Sequence, residues 1–163
     1  MIGIEVGASV VVPGVGVGTI ERRELQSIGA ETVELFHIDL GDRCSMMVPV
    51  DRFRSLGIRA TISEEAVPTV WAAIEAAEAP EKRAHWNQRK QRFTQTLLDN
   101  RATDLASALG ELILVNAKKG LSFSERSLLD KLKHIVLGEL AVVTGQPAVA
   151  LETRLSAVIP VAA

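Results

Sequence analysis

Three glycines lie at alternate positions, Gly14, Gly16 and Gly18. Their spacing could form a phosphate-binding site, because glycine-rich loops bind phosphate groups. Phosphate binding of this kind requires that the glycines lead into the N-terminus of a helix, whose backbone amides surround the anion. Here they lead into residues 19–26, TIERRELQ, which are typical of a strand, and no Lys-Ser or Lys-Thr pair follows. The glycines therefore predict a tight β-turn rather than a phosphate loop.

The histidines and the single cysteine do not form a pattern typical of a metal or catalytic site. His37, His85 and His134 are isolated, and none is paired at helical spacing or lies in an H-E-x-x-H sequence. Cys44 lies in a predicted strand, where a small buried side chain is the simpler interpretation. The sequence also lacks the G-x-S-x-G pattern of a nucleophile elbow. We therefore predict no enzyme activity, no metal and no cofactor, and a small hydrolase or transferase is the weakest of the hypotheses.

Basic side chains are concentrated in two segments of the second half of the chain, although the whole chain carries a formal charge of −2. Residues 80–101 contain six basic and two acidic side chains, and residues 118–133 contain five basic and two acidic ones. If these segments pack side by side, they form a basic face that can neutralise several phosphates, with an affinity that falls steeply as salt rises. An ordinary solvated surface is the alternative interpretation.

Trp86 lies within the first basic segment, in the sequence AHWNQRK. Its neighbours at helical spacing are Arg89 and Lys90, so an exposed indole here would be suited to stack on a base or to wedge into an opened minor groove. A place in the core fits the pattern equally well, since Phe93 lies two helical turns further on. Trp71, which lies among apolar residues, is predicted to be part of the core.

The elements that must position these residues change character near residue 60. The first part contains four or five short β-branched runs separated by glycines. These predict a small SH3- or Tudor-like β-barrel, because closure removes the exposed edges of a short antiparallel sheet. The second part predicts about five helices, one capped by Ser63 and another by Ser122 and Glu125 in an S-x-x-E pattern. We predict an α+β protein with a barrel domain at residues 1–58 and an all-helical domain at 59–163.

Composition narrows the class of protein. A chain of 163 residues with 47% hydrophobic and 23% charged residues is not disordered throughout, and its pI near 5.9 excludes a uniformly basic nucleic-acid binder. One cysteine cannot form an intramolecular disulfide and indicates a reducing compartment. No apolar run approaches the roughly 20 residues that span a bilayer, and the N-terminus lacks the basic region of a secretory signal. We therefore expect a soluble, cytoplasmic protein with no membrane partner.

Four segments of the chain resemble, in order, motifs of the CarD/CdnL/TRCF family of bacterial RNA-polymerase-binding proteins. These segments are VGASVVVPGVGVGTI, MMVPVDRFRSLGIRATISEEAV, HWNQRKQRF and KKGLSFSERSLLDKLKHIVLGELAV, and together they cover nearly the whole chain. Val12 departs from the family's usual tyrosine, and Met46 and Met47 stand where many relatives have a basic residue. The family's helicase itself is excluded, because the chain is too short and has no G-x-x-x-x-G-K-[ST] loop.

The resemblance implies that the Tudor-like module docks on the RNA polymerase β subunit, while the helical module contacts promoter DNA at the upstream edge of the transcription bubble and prolongs the open complex. By position it makes Trp86 the wedge, and the DNA contacts implied beside it are Arg89, Lys90, Arg92, Arg126 and Lys131. The implied polymerase contacts are Arg22, Met46, Met47, Val48 and Pro49. We expect a monomer that binds promoter DNA weakly and without strong sequence preference. The alternative is a protein–protein adaptor that binds polymerase or another partner without touching DNA.

Overall fold

A computed structural model describes residues 4–79 and 86–158, without the side chain of Trp86. Within these residues an antiparallel five-stranded sheet precedes five α-helices, so the predicted α+β organisation is confirmed. The strands are β1 (Ser9–Val12), β2 (Gly16–Ile28), β3 (Glu31–Gly41), β4 (Cys44–Pro49) and β5 (Arg59–Ala60). The helices are α1 (Val67–Glu75), α2 (Trp86–Asp99), α3 (Ala102–Lys119), α4 (Phe123–Thr144) and α5 (Ala148–Val158).

The sheet has the strand order β4-β3-β2-β1-β5 and does not close into the predicted barrel. Among the described strands, β5 pairs only with β1. β4 and β5 are therefore the two end strands of the sheet. Closure fails because the segment between β4 and β5 forms turns, including a 3-10 turn at Val50–Arg52, and because β5 has only two residues. β5 also extends the sheet to Ala60, two residues beyond the predicted boundary at residue 58.

The glycine-rich segment forms the predicted β-turn, which is confirmed. The Val15 amide donates to the carbonyl oxygen of Val12 at 3.1 Å, and the chain turns from β1 into β2. Gly14 lies inside this turn with a φ of 71°, a left-handed backbone angle that favours glycine. The phosphate-loop alternative is excluded because a strand, not a helix, follows the glycines.

β1 is buried on both faces, which explains its run of three valines. Alternate side chains of a strand point to opposite faces. Val10 and Val12 pack with Phe36 and Phe53 in the core of the sheet module, whereas Val11 packs into the core formed by the helices. The strand therefore lies between the two modules and belongs to both cores.

The two predicted helix caps differ in outcome. Ser122 precedes α4 and forms a complete capping box, in which its amide donates to Glu125 Oε2 at 2.8 Å and its Oγ accepts from the Glu125 amide at 3.3 Å. This prediction is confirmed. Ser63 precedes only a 3-10 turn, Glu64–Ala66, and its side chain makes no capping hydrogen bond with the described residues. The cap predicted at Ser63 is wrong, because α1 begins later, with Pro68 in its first turn.

The helical core contains Trp71 and the apolar stripe of α3, as predicted from helical periodicity. α1 and α3 approach each other closely at Gly110, where an added Cβ atom would lie 2.6 Å from both Ala77 Cβ and the Ile74 carbonyl oxygen. This distance is well below van der Waals contact. Glycine at position 110 is therefore required by packing and not by backbone conformation.

Gly110→Ala is expected to lower the free energy of unfolding by about 1–3 kcal/mol, the usual effect of overpacking a core. Helix propensity alone acts in the opposite direction by about 1 kcal/mol, so the sign of the change tests the packing. Denaturant unfolding measures it. Gly138→Ala in α4 is the matched control, since its Cβ would meet only Val17 Cγ2, at 3.9 Å. Equal stabilisation of both variants would contradict the close approach of α1 and α3.

An ion pair joins the sheet to the helices. Arg59 of β5 donates from Nη1 to Glu139 Oε2 at 2.7 Å and from Nη2 to Glu139 Oε1 at 2.8 Å. The Ile62 amide donates to the same Oε2 at 2.8 Å. Glu139 lies in α4 with 4% of its side chain exposed, so its charge is neutralised almost entirely by these donors. The pair fixes α4 against the last strand of the sheet.

Asn100 forms a second link between the modules, directly after α2. Its Nδ2 donates to the carbonyl oxygens of Val11 at 2.9 Å and Gly57 at 3.0 Å, and its own carbonyl oxygen accepts from Arg59 Nε at 2.5 Å. The residue has a φ of 56°, a left-handed angle that asparagine tolerates better than most residues. The C-terminal end of α2 is thus bound to the backbone of the sheet module.

Among the described residues, no single helix is long and apolar enough to cross a membrane. α4 and α5 satisfy the length and composition criteria only when taken together, as a pair bent by 118°. Their apolar side chains, including Leu132 and Leu151, are buried in the helical core.

Candidate nucleic-acid interface

α2 carries most of the predicted DNA contacts, and its side chains divide among three faces. Arg89 and Phe93, one turn apart, are buried. Lys90 and Thr94, also one turn apart, line a groove beside α4, whereas Arg92 lines a smaller groove beside α3. Because residues four apart lie on one face of a helix, neighbouring cations in the sequence have different environments.

Arg89 ties the first turn of α2 to the first turn of α4. Its Nη1 lies 3.1 Å from Glu125 Oε1, and both side chains are more than nine-tenths buried. The same Glu125 completes the capping box with Ser122. In this arrangement Arg89 is buried and positions α2 on α4, and the phosphate contact that the resemblance implies for it stays a prediction.

The pKa of Glu125 reflects opposing influences. Burial raises it and is the largest single influence, but hydrogen bonding with the Ser122 backbone, the positive charge of Arg89, the Ser122 side chain and the charge of Lys119 all lower it. Their sum lowers the pKa of Glu125 below its ordinary value of 4.5. The carboxylate is therefore ionised at neutral pH, and its interaction with Arg89 is an ion pair.

A groove of about 330 Å³ lies between α2 and α4, and we call it the α2–α4 groove. Lys90 from α2 and Lys131 from α4 line it, together with the apolar side chains of Leu97 and Leu128. No acidic side chain of the described residues lines it. The fold thus places cations from the two basic segments in one concave surface, which satisfies the condition for a shared basic face.

Arg92 and Arg126 lie outside this groove. Arg92 Nη2 is 2.5 Å from Glu111 Oε1, and its guanidinium lies 5.0 Å from the centre of the Phe93 ring. The Arg92 side chain is half exposed, but Glu111 neutralises its charge locally. Arg126 is exposed in the first turns of α4. A phosphate contact stays a prediction for both residues.

Trp86 is the first residue of α2, one helical turn before Lys90. Its side chain lies outside the part of the chain that the structure describes, as does His85. The wedge role implied by the resemblance therefore stays a prediction.

Two of the predicted polymerase contacts, Arg22 and Met47, are exposed and flank the largely buried His37 on one face of the sheet. Arg22, His37 and Met47 stand opposite one another on β2, β3 and β4, and Arg22 Nη2 lies 3.5 Å from His37 Nδ1. The side chain of Arg22 is 65% exposed, and Met47 is 58% exposed. We call Arg22, His37 and Met47 the outer row.

The other predicted contacts on β4 have different environments. Val48 is buried and Met46 is half-buried, and both pack in the core of the sheet module. Val48 therefore contributes to this edge of the sheet only through its backbone. Pro49 is half-buried and ends the strand. Cys44 is exposed at the start of β4, so the prediction that it is buried is wrong, because it directly follows the tight turn at Asp42 and Arg43.

Sequence reasoning missed three residues: Glu139 and Asn100, which link the two modules, and Phe123, which lines the α2–α4 groove. Glu139 was detectable as a carboxylate inside an apolar helical run, IVLGELAVV, which suggests a buried partner. Asn100 was detectable as an asparagine between two helical patterns, where a left-handed residue ends a helix. Phe123 gave no signal, since phenylalanine is among the residue types most often buried. No three His, Cys, Asp or Glu side chains of the described residues form a group that could hold a metal ion.

The helical part of the chain matches the family model described as CarD, C-terminal domain, over residues 69–156. This match covers more than half of the chain and extends from α1 into α5. The chain belongs to the CarD family. The CarD family comprises non-enzymatic transcription regulators and is known for interaction with RNA polymerase. The family assignment made from the four motifs is confirmed, and the matched CarD residues include α2, α4 and the groove between them.

Proposed function

We propose that this CarD-family protein docks on the RNA polymerase β subunit through its sheet and contacts promoter DNA at the upstream edge of the transcription bubble through α2 and α4. Its effect would be a longer-lived open complex, produced in the cytoplasm by a monomer without catalysis. The α2–α4 groove carries this proposal, because it gathers Lys90 and Lys131 on a chain with an acidic net charge.

The charge of the groove supports contact with a DNA backbone. Two exposed lysines without an acidic neighbour in the groove can displace counterions from phosphates, which is the source of non-specific DNA affinity. Position 86 lies one turn from Lys90 at the start of α2. A side chain inserted from that position would act beside the phosphates that the lysines contact.

The sheet supports docking on a protein. β4 is an end strand, and the backbone of an exposed edge can extend the sheet of a partner. The outer row adds an exposed methionine and an exposed arginine beside this edge. Methionine side chains adapt to irregular partner surfaces. Met47 would therefore make an apolar contact with the polymerase where many relatives have a basic residue.

The links between the modules support simultaneous binding of both partners. The Arg59–Glu139 pair and the Asn100 hydrogen bonds hold α2 and α4 in one orientation relative to the sheet. A protein anchored on polymerase would then hold its helices at a constant distance from the DNA. Tethering raises the local concentration of the helical module, so weak intrinsic DNA affinity is sufficient.

Trp86→Ala is expected to remove most of the effect on the open complex while leaving the fold intact. Loss of one aromatic stacking or wedging contact corresponds to about tenfold in lifetime. The measurement is the decay of polymerase–promoter open complexes with wild type, with the variant and without the protein. Circular dichroism and thermal unfolding check that the variant is folded. Val149→Ala, at an exposed position of α5, is the control.

Each outcome has a distinct meaning. A lifetime prolonged by wild type and by Val149→Ala, but not by Trp86→Ala, supports the proposal. An unfolded Trp86→Ala variant would place Trp86 in the core and contradict the wedge. Polymerase binding without any change in lifetime would identify an adaptor. Met47→Asp tests the docking surface separately and is expected to weaken polymerase binding without changing affinity for free DNA.

A further inference from the structure

Phe123 is the most exposed of the large hydrophobic side chains in the described residues, with 87% of its surface accessible. It is the first residue of α4 and lines the α2–α4 groove. An aromatic ring left in water at this position has no role in the core of the protein. Its face is therefore open to a ligand.

The surroundings of Phe123 suit a nucleotide. Lys90 and Lys131 line the same groove and supply two positive charges, while Ser124 and Ser127 supply hydroxyl groups. A planar ring, two ammonium groups and hydroxyl donors match the base, phosphates and sugar of one nucleotide. The groove volume of about 330 Å³ lies at the lower end of the range for small-ligand sites.

The placement of Phe123 is fixed before any ligand binds. The adjacent Ser122 forms the capping box with Glu125, and Glu125 is held in turn by Arg89 of α2. These contacts define both the start of α4 and its distance from α2. A preorganised backbone reduces the entropy lost on binding, so a single exposed ring can contribute measurably to affinity.

We propose that Phe123, Lys90 and Lys131 form a binding site for an unpaired nucleotide of single-stranded DNA. The base stacks on the Phe123 ring, and the flanking phosphates contact the two lysines. This inference rests on the proposed function, because an unpaired strand is present beside α2 only where the duplex has opened. An apolar protein segment is less favoured as the ligand, since the two lysines that line the groove would remain unpaired against it.

The test compares binding of the full chain to forked DNA, with an unpaired arm, and to a fully paired duplex of the same sequence. Fluorescence anisotropy gives the affinities, and a 2-aminopurine in the unpaired arm reports stacking through quenching. Phe123→Ala is expected to weaken binding to the fork by about tenfold and to abolish the quenching, with little change for the duplex. Phe123→Trp should preserve both, and Val149→Ala should behave as wild type.

The lysines have a different expected signature. Lys131→Gln should weaken binding to the fork and to the duplex alike and reduce the salt dependence by about one phosphate contact.

The Phe123→Ala variant is expected to fold, because alanine is a good helix former and the side chain that it replaces is exposed.

Failure of this inference and failure of the proposed function give different results. Wild type that binds neither DNA in a salt-sensitive manner overturns both. Wild type that binds the fork, with Phe123→Ala equal to it in affinity and quenching, overturns the nucleotide site alone. A Phe123→Ala variant that binds the fork normally but loses polymerase would also overturn it and would assign Phe123 to a protein contact.

Discussion

Replacing Glu139 by leucine is expected to lower the free energy of unfolding by about 3 kcal/mol, near the lower end of the range for removal of one partner from a buried ion pair. The carboxylate accepts three hydrogen bonds, two from Arg59 and one from the Ile62 amide. Without it these donors lose their acceptor at the junction of the modules. The loss is moderated because a quarter of the Arg59 side chain is exposed to water. Denaturant unfolding at neutral pH measures the change.

Two controls identify the cause. The double variant Arg59→Met, Glu139→Leu replaces both charges with apolar groups and is expected to recover most of the stability. Glu34→Gln removes a charge from the exposed Arg23–Glu34 pair and is expected to have no measurable effect. A Glu139→Leu variant as stable as wild type would show that the junction does not depend on the ion pair.

The same substitution has a functional consequence under the proposed function. Glu139→Leu should retain polymerase binding through the sheet, but its effect on open-complex lifetime should fall, because the helices no longer keep one orientation relative to the sheet. Binding to free forked DNA should persist. This combination distinguishes loss of orientation from loss of either binding surface.

Replacing Arg89 by methionine is expected to cost about 3–5 kcal/mol of stability, since it leaves the ionised Glu125 buried without its partner. This effect should depend on pH. Because the pKa of Glu125 is lower in the folded chain than its ordinary value of 4.5, its ionised form stabilises the fold above that value. The contribution is lost as the pH falls through the lowered pKa of the folded state.

Glu125→Gln isolates this pH dependence. Denaturant unfolding between about pH 7 and about pH 3 should show wild type losing stability in acid more steeply than the variant. The hydrogen bond from Arg23 also lowers the pKa of Glu34. This contribution is the same in wild type and in Glu125→Gln, so it cancels in the comparison. Parallel pH profiles for wild type and Glu125→Gln would contradict a charged Arg89–Glu125 pair.

Salt dependence separates positioning by Arg89 from contact by Arg89. Substitution of a residue that contacts a phosphate reduces the salt slope of DNA binding by about one. Substitution of a residue that only positions a helix lowers the DNA affinity without changing the slope. Under conditions where the variant is folded, Arg89→Met is expected to follow the second pattern. Lys90→Gln, at the next position along α2, is the matched control and should follow the first.

Much of the fold is predictable from local physical chemistry. The capping box before α4, the apolar stripe of α3 and the strands with their glycine turns depend on residues that are near one another in the chain. Helix periodicity, capping and turn geometry act over a few residues, so the sequence contains the necessary information. The family motifs are likewise local, and the match over residues 69–156 agrees with them.

Local patterns of residues are sufficient to give the order of strands and helices, the N-cap of α4 at Ser122 and the two basic segments. Which of the cations face solvent depends on tertiary packing. Arg89 and Lys90 are adjacent and carry the same charge, yet Arg89 is buried against Glu125 while Lys90 lines the α2–α4 groove. Burial of a charge depends on a partner 36 residues away, and that pairing exists only after α2 and α4 have packed. The exposure of Phe123 is unpredictable from the sequence for the same reason, because it depends on which side chains pack around the start of α4.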